Sequence, residues 1–120
     1  MQYRDLPANA LLIDGQDPDV LVYRATSFLA RGRGLLFAPQ LGDSEALWIA
    51  PCNSIHTVGM RYGIDVVFLD RAGRVVAQRK ALAPGRWAGC RRAASVLELR
   101  AGGADRLGIR DGATLRVEAA

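Results

Sequence analysis

The segment IDVVFLDRAGRVVAQRK allows fewer structures than any other part of this chain. Two runs rich in aliphatic and β-branched residues, Ile64–Leu69 and Arg74–Arg79, flank the tetrapeptide Asp-Arg-Ala-Gly. Within that tetrapeptide, Asp70 can accept hydrogen bonds from its own turn and Gly73 can adopt a positive φ. Both faces of the first run are apolar apart from Asp65, which is typical of a strand covered on both sides. The segment therefore predicts a β-hairpin whose first strand is central in a sheet.

The other apolar runs are short and are separated by turn-forming residues, which predicts more strands and little helix. A chain of 120 residues that is 50% hydrophobic can bury one core, so we expect a single domain over residues 1–120. The predicted fold class is mainly β, at the margin of α+β: a small barrel-like domain, either a closed barrel or a half-closed sheet, with one or two short helices. The other predicted strands are Asn9–Ile13 and Val20–Arg24 (as a hairpin), Leu47–Ala50, Ser95–Leu99 and Thr114–Glu118, and the predicted helices run from Thr26 or Ser27 toward Leu36 and over Ala104–Leu107.

No segment has the character of a membrane span or a secretory signal. The longest apolar runs are far shorter than the roughly 20 residues that a membrane-spanning helix needs. The N-terminal residues carry Arg4 and Asp5 and lack the apolar stretch of a signal peptide. We therefore expect a cytoplasmic protein, in which the two cysteines, Cys52 and Cys90, are thiols.

The decapeptide PCNSIHTVGM concentrates reactive side chains, because it holds one of the two cysteines and the only histidine. Cys52 can attack as a thiolate if His56 acts as its base and Asn53 or Asp65 orients the imidazole. Such an arrangement would make the protein a hydrolase or transferase, with Cys52, His56 and Asp65 as candidate catalytic residues. The spacing of Cys52 and His56 matches no local catalytic signature, so only the fold can bring them together.

A metal site is a second interpretation of the same residues. Cys52, His56 and Cys90 could bind zinc together with Asp65 or a water molecule. Structural zinc sites usually show paired ligands at short spacing, and this sequence contains no such pair. We therefore predict no metal and no cofactor.

In a third interpretation the loop has a structural role only. Asn53, Ser54 and Thr57 are side chains that readily form hydrogen bonds with nearby backbone groups. Cys52 can then pack as a small apolar residue, or it can form a disulfide with Cys90. This interpretation needs no ligand and no reaction.

Positive charge is concentrated in the second half of the chain. Residues 1–60 carry four basic and six acidic side chains, whereas residues 61–120 carry twelve basic and six acidic ones. Every basic residue except Lys80 is an arginine, which suits planar, bidentate contacts with anions. Nucleic-acid binding through this half is a weaker alternative, because the charges are scattered and aromatic residues are few.

Several polar side chains around the loop are candidates for ligand contacts. Arg61, Arg86 and the pair Arg91–Arg92 can converge on an anionic small molecule or a glycan. Arg61 can instead form a buried ion pair with Asp65, and we favour this pairing because a carboxylate at the entrance to a buried strand needs a partner. The predicted ligand-binding residues are Asn53, Ser54, Thr57, Arg61 and Arg86.

The motifs RGRGLLF, LWIAPCNSIHTVGMRYGIDVVFLD, GRVV, VLELRAGGADRLGI and DGATL follow one another between roughly Ala25 and Val117. Their order resembles the DUF192 family. The most specific part is Met-Arg at 60–61 followed by Ile-Asp at 64–65 and an aliphatic strand, which is similar to the family's Met-Lys or Met-Arg, then Pro-Leu-Asp or Pro-Ile-Asp, then a strand. Gly63 stands where the family usually has proline, so the turn before Asp65 should be less rigid. The PCNSIHT form looks like one branch of the family.

The resemblance implies a compact, β-rich fold and implies no reaction, since this mostly prokaryotic family has no assigned biochemical role. We therefore predict an accessory or binding domain that recognises a small ligand or a protein partner through the 51–65 loop and the basic face. The alternative is a Cys/His-dependent hydrolase or transferase with Cys52 as the nucleophile. The oligomeric state is left open.

Overall fold

The predicted hairpin forms two neighbouring strands of a larger sheet in the computed structural model of the protein. The structure describes residues 3–26 and 39–119, so the helix predicted from Thr26 or Ser27 toward Leu36 lies, beyond Thr26, outside the described residues. In chain order the elements are a 3-10 helix at Tyr3–Asp5, β1 (Ala8–Ile13), β2 (Leu21–Ala25), β3 (Glu45–Ile49), β4 (Ser54–His56), β5 (Ile64–Leu69), β6 (Val75–Leu82), β7 (Trp87–Gly89), β8 (Ser95–Arg100), α1 (Gly103–Arg106) and β9 (Leu115–Ala119).

Seven strands form one mixed sheet in the order β6-β5-β8-β3-β2-β1-β9, and β4 and β7 form a separate two-stranded ribbon. All neighbouring pairs are antiparallel except β2 and β3, which run parallel. Both predicted hairpins, β1–β2 and β5–β6, are confirmed. In the turn of the second hairpin, Asp70 accepts hydrogen bonds from the amides of Ala72 and Arg74 at 2.9 Å each, as the turn chemistry predicts.

The edge strands β6 and β9 approach each other at one end. An isolated bridge joins Arg74 to Thr114. Farther along β6, the side chain of Gln78 donates to the carboxylate of Asp111, which is a contact between side chains and not a strand pairing of β6 with β9. The predicted half-closed sheet is therefore confirmed, whereas a closed β-barrel is wrong.

Alternate residues of β5 enter two different cores. Phe68 belongs to a core that also contains Ile55 of the ribbon, and we call it the ribbon-side core. Val67 belongs to a core that also contains Ala104 of α1, and we call it the helix-side core. All six residues of β5 are buried, and the strand lies between β6 and β8. The prediction of a central strand covered on both sides is confirmed.

The β4–β7 ribbon is the main difference from the predicted elements, because the sequence indicates loops in both places. Each of its strands has three residues, which is too short for an alternating pattern to be recognised. Proline, glycine and asparagine flank the two strands and are typical of turns. Only the pairing of two segments about thirty residues apart identifies them as strands.

Helical structure is sparse in residues 3–26 and 39–119. It comprises the 3-10 helix and α1, and α1 confirms the short helix predicted near Ala104–Leu107. Within these residues there is no helix of the length and apolar character that crossing a membrane requires.

Candidate functional site

The loop that follows β3 is hydrogen-bonded to residues 90–94, which come directly after β7. The amide of Cys52 donates to the carbonyl of Ala94 at 3.0 Å, and the amide of Cys90 donates to the carbonyl of Asn53 at 2.9 Å. These two hydrogen bonds lie at the end of the β4–β7 ribbon where β4 begins and β7 ends. The candidate functional loop therefore has a defined backbone, held by a partner that is distant in sequence.

The two faces of the ribbon differ in polarity. Ile55 lies opposite Ala88, and both contribute to the ribbon-side core. His56 lies opposite Trp87, and both are exposed. Their ring centroids are 4.9 Å apart with an angle of 41° between the planes. Because successive side chains of a strand point to opposite faces, His56 and Trp87 face outward while Ile55 and Ala88 anchor the ribbon in the core.

Thr57 connects the end of β4 to the segment before β7. It is fully buried, and its hydroxyl donates to the carbonyl of Ala83 at 2.6 Å and accepts from the amide of Arg86 at 2.9 Å. Its amide donates to the carbonyl of Arg86 at 2.8 Å, and its carbonyl accepts from Gly85 at 3.0 Å. These contacts make Thr57 a structural residue of the loop, and its predicted contact with a ligand stays a prediction.

A cleft of about 500 Å³ opens beside Pro51, Cys52 and Asn53. We call it the arginine cleft, because three exposed arginines contribute to its wall. No ion pair within the described residues includes any of these arginines. The residues that line it are Pro51, Cys52, Asn53, Arg71, Arg91, Arg92, Ala93 and Ala94.

The structure places Cys52 and His56 on different features of the loop. Cys52 lines the arginine cleft, and its thiol donates to the carbonyl of Ser54 at 3.1 Å. His56 lies on the outer face of the ribbon against Trp87. No disulfide joins Cys52 to Cys90, so the predicted alternative of a disulfide between them is wrong. The pairing of Cys52 with His56 as nucleophile and base stays a prediction.

Asp65 is compensated by backbone amides. One carboxylate oxygen accepts from Ala81 at 2.8 Å, and the other accepts from Gly102 at 3.1 Å and from Ala104 at 2.9 Å. Asp65 is 1% exposed, whereas Arg61 is exposed and forms none of the ion pairs of the described residues. The need for a partner is confirmed, but the predicted ion pair with Arg61 is wrong. Three fixed N–H groups satisfy the carboxylate without a second buried charge.

The remaining candidates lie on the surface around the ribbon. Asn53, Ser54 and Arg86 are exposed, as is Arg61. Cys52 and Asn53 share the arginine cleft, whereas Arg86 adjoins Trp87 at the far end of the ribbon. The predicted ligand-binding set is therefore divided between the base and the tip of the ribbon, and its role stays a prediction. Among the described residues there is no group of three or more His, Cys, Asp or Glu side chains that could hold a metal ion.

Three residues escape prediction from the sequence. Arg71 belongs to the turn of the β5–β6 hairpin and joins the arginine cleft only because of the fold. Trp87 lies in the segment Gly-Arg-Trp-Ala-Gly, which reads as a loop, and its exposure depends on the register of the ribbon. Glu98 continues the apolar run of β8 and is buried, which raises the pKa of its carboxyl to about 7. A charged residue within a predicted strand was the available signal for Glu98.

Two solved structures share the fold of this chain. The crystal structure of a protein from Sinorhizobium meliloti 1021 described as a "putative transcription regulator" has a TM-score of 0.84 at 20% sequence identity, and the match covers 98% of this chain and 96% of that one. A protein of unknown function from Novosphingobium aromaticivorans DSM 12444 has a TM-score of 0.75 at 22% identity, with 92% and 83% covered. At these identities the likeness concerns the fold alone.

No curated protein matches the sequence. The profile of a protein family does: residues 10–117 match DUF192, which is described as "Uncharacterized ACR". The match extends from β1 to β9 and includes both sides of the arginine cleft as well as the ribbon. Because the profile covers nearly the whole chain, this protein belongs to the DUF192 family.

Proposed function

We propose that this protein is a binding domain that holds a small oxyanion, a molecule with several carboxylate or phosphate groups, in the arginine cleft. The observation that carries the proposal is the presence of Arg71, Arg91 and Arg92 around one cleft whose lining has no acidic side chain. A volume of about 500 Å³ lies in the range of cavities that bind small molecules.

The chemistry of the wall supports an anionic ligand. A guanidinium group donates two parallel hydrogen bonds to a carboxylate or phosphate, and such charge-assisted bonds are stronger than neutral ones. Charges of one sign in a concave wall also focus the electric field and raise the local concentration of the opposite ion. Since no ion pair of the described residues includes these arginines, a ligand has no carboxylate to displace.

The direct test is isothermal titration calorimetry, in which inorganic pyrophosphate or citrate is added to the protein at low and at physiological salt. We expect binding with one ligand per chain that weakens as salt rises. The double variant Arg91→Ala/Arg92→Ala should bind at least roughly tenfold more weakly, because two charge-assisted hydrogen-bonding groups are lost.

The matched control is Arg79→Ala, which removes an exposed arginine of β6 that does not line the cleft. It should bind as the wild type does. Equal affinities for the double variant and the wild type would contradict the proposal, as would the absence of binding to both anions at millimolar concentration.

The hydrolase or transferase alternative is favoured by one observation, the position of Cys52 in the same cleft. Alkylation with iodoacetamide, quantified by mass spectrometry with Cys90 as the internal reference, separates the two functions. In a binding domain, bound pyrophosphate slows the alkylation of Cys52 and the substitution His56→Ala leaves its rate unchanged. A rate that peaks near neutral pH and falls in His56→Ala would instead support catalysis.

A further inference from the structure

Trp87 is the most exposed large apolar side chain of the described residues. It is 72% exposed, and Val58, just beyond β4, is 47% exposed. The ring of His56 packs against Trp87 at 4.9 Å. We call His56, Val58 and Trp87, with the adjoining Arg86, the ribbon tip. Three large apolar residues of the described chain are exposed, and two of them lie here.

Trp87 is exposed because of the register of the β4–β7 ribbon and the hydrogen bonds that hold the ribbon in place. Its neighbour Ala88 and the facing Ile55 are directed into the ribbon-side core, so Trp87 must lie on the other face. The buried Thr57 ties the two strands together at this end through its hydroxyl and its backbone. A partner would therefore meet an aromatic surface that is already in place and would lose little entropy in ordering it.

The charge around the ribbon tip is of one sign. Residues 54–63 and 83–89, which contain the two strands and the segments at this end of the ribbon, include two arginines, Arg61 and Arg86, and neither aspartate nor glutamate. Arg86 precedes Trp87 directly and is exposed, and Arg61 follows the turn after β4. A surface of this charge attracts an acidic partner and repels a second copy of itself.

We infer that the ribbon tip is a docking surface for an acidic protein segment that packs an apolar side chain over Trp87. Tryptophan and arginine are the residues that most often dominate the binding energy of protein interfaces. Val58 adds aliphatic area, which suits a protein side chain better than a stacked nucleic-acid base. The ribbon tip shares no residue with the arginine cleft, so this inference does not depend on the proposed function.

The test begins with selection of peptides from a random display library. Peptides that bind the Trp87→Ala variant are first removed, and those that bind the wild-type protein are then kept. We expect the enriched peptides to contain several acidic residues around an aromatic or aliphatic one. A synthetic peptide of the enriched sequence is then titrated into the Trp48→Phe variant, in which Trp87 is the only tryptophan, and its fluorescence should shift as it becomes covered.

Matched variants locate the contact. Trp87→Ala and Arg86→Glu should each weaken the peptide roughly thirtyfold, the loss typical of a dominant interface residue. Arg110→Glu makes the same charge change at an exposed site outside the ribbon and should bind within about twofold of wild type. Because the exposed Trp87 contributes little to the core, Trp87→Ala should unfold at the temperature of the wild type.

Three outcomes would overturn the inference. The first is that no peptide is enriched over the Trp87→Ala bait. The second is that the enriched peptides carry no net negative charge or bind Trp87→Ala and the wild type equally. The third is that an oligodeoxythymidylate binds in a Trp87-dependent manner and the peptides do not, which would assign the surface to single-stranded nucleic acid.

Discussion

At the scale of single residues, burial changes the chemistry of Glu98. It lies in β8 between Leu47 of β3 and Val66 of β5, and it is 3% exposed. Burial disfavours the charged form of a carboxyl group, so the pKa of Glu98 rises to about 7. Burial also raises the pKa of Tyr62, which reaches about 12 with a further contribution from the nearby Tyr3 and Glu98. Glu98 therefore retains its proton up to a pH at which exposed glutamates are ionised.

This pKa predicts that the free energy of unfolding decreases as the pH rises from about 4.5 to about 7. The folded state binds the proton of Glu98 more tightly than the unfolded chain, so the stabilisation is complete below the ordinary value of 4.5 and is lost above about 7. The difference between the two values corresponds to about 3 kcal/mol. Urea unfolding at pH 5 and pH 8 measures it.

The control for this prediction is Glu98→Gln, which is uncharged at every pH and should remove most of the difference between pH 5 and pH 8. Glu45 does not interfere, because the hydrogen-bonded Arg4 lowers its pKa to about 2 and its effect is confined to more acidic solutions. An unchanged pH dependence in Glu98→Gln would assign the effect to another group.

At the scale of elements, Asp65 connects three parts of the structure. Its carboxylate bonds to Ala81 in β6, where the register with β5 shifts and the backbone has a φ of 51°, and to Gly102 and Ala104 at the start of α1. The Asp65 side chain thus accepts hydrogen bonds from backbone N–H groups that would otherwise have no acceptor, one at the irregularity of β6 and two at the start of α1. One residue of the central strand thereby positions both the edge strand and the helix.

Replacing Asp65 by alanine should lower the free energy of unfolding by about 3 kcal/mol, because three backbone amides, of which that of Ala104 is buried, lose their acceptor. Denaturant unfolding of Asp65→Ala measures the change. Asp105→Ala is the matched control: it removes a carboxylate that pairs with Lys80 at the surface, where side chains are 71% and 49% exposed, and should cost about 1 kcal/mol or less. Similar losses in both variants would contradict the structural role of Asp65.

At the scale of the whole molecule, the sheet is nearly closed where the turn before β6 meets the start of β9. Gly73 has a φ of 83°, and its carbonyl accepts a hydrogen bond from the amide of Leu115. A β-carbon at Gly73 would collide with the carbonyl oxygen of Leu115. The approach of β6 and β9 therefore requires glycine at this turn, both for its backbone conformation and for the space beside it.

The substitution Gly73→Ala should destabilise the protein by about 3 kcal/mol, because a strained φ and a collision with β9 combine. Gly85→Ala is the control, since Gly85 also has a positive φ, of 78°, but no atom lies near the position of its β-carbon. It should cost about 1 kcal/mol for the strain alone. Thermal or denaturant unfolding of both variants checks the difference, and equal losses would show that the edge contact does not matter.

Prediction from the sequence succeeded where the signal was local. The apolar run Ile64–Leu69, the turn chemistry of Asp70 and Gly73, and the short helix after β8 all depend on residues within a few positions of one another. It failed for the partner of Asp65, because the amides of Gly102 and Ala104 are far away in sequence. For the same reason the candidate residues of the loop could be named, while their separation into the arginine cleft and the ribbon tip could not.

By itself, then, the sequence determined a mainly β domain, its two hairpins, its central strand and its membership of DUF192, because apolar periodicity and turn residues act locally. Only the tertiary structure decided the order of the strands, the ribbon of β4 and β7, the three amides around Asp65 and the meeting of Arg71 with Arg91 and Arg92. These features depend on contacts between distant segments, which form when burial of the two cores brings those segments together.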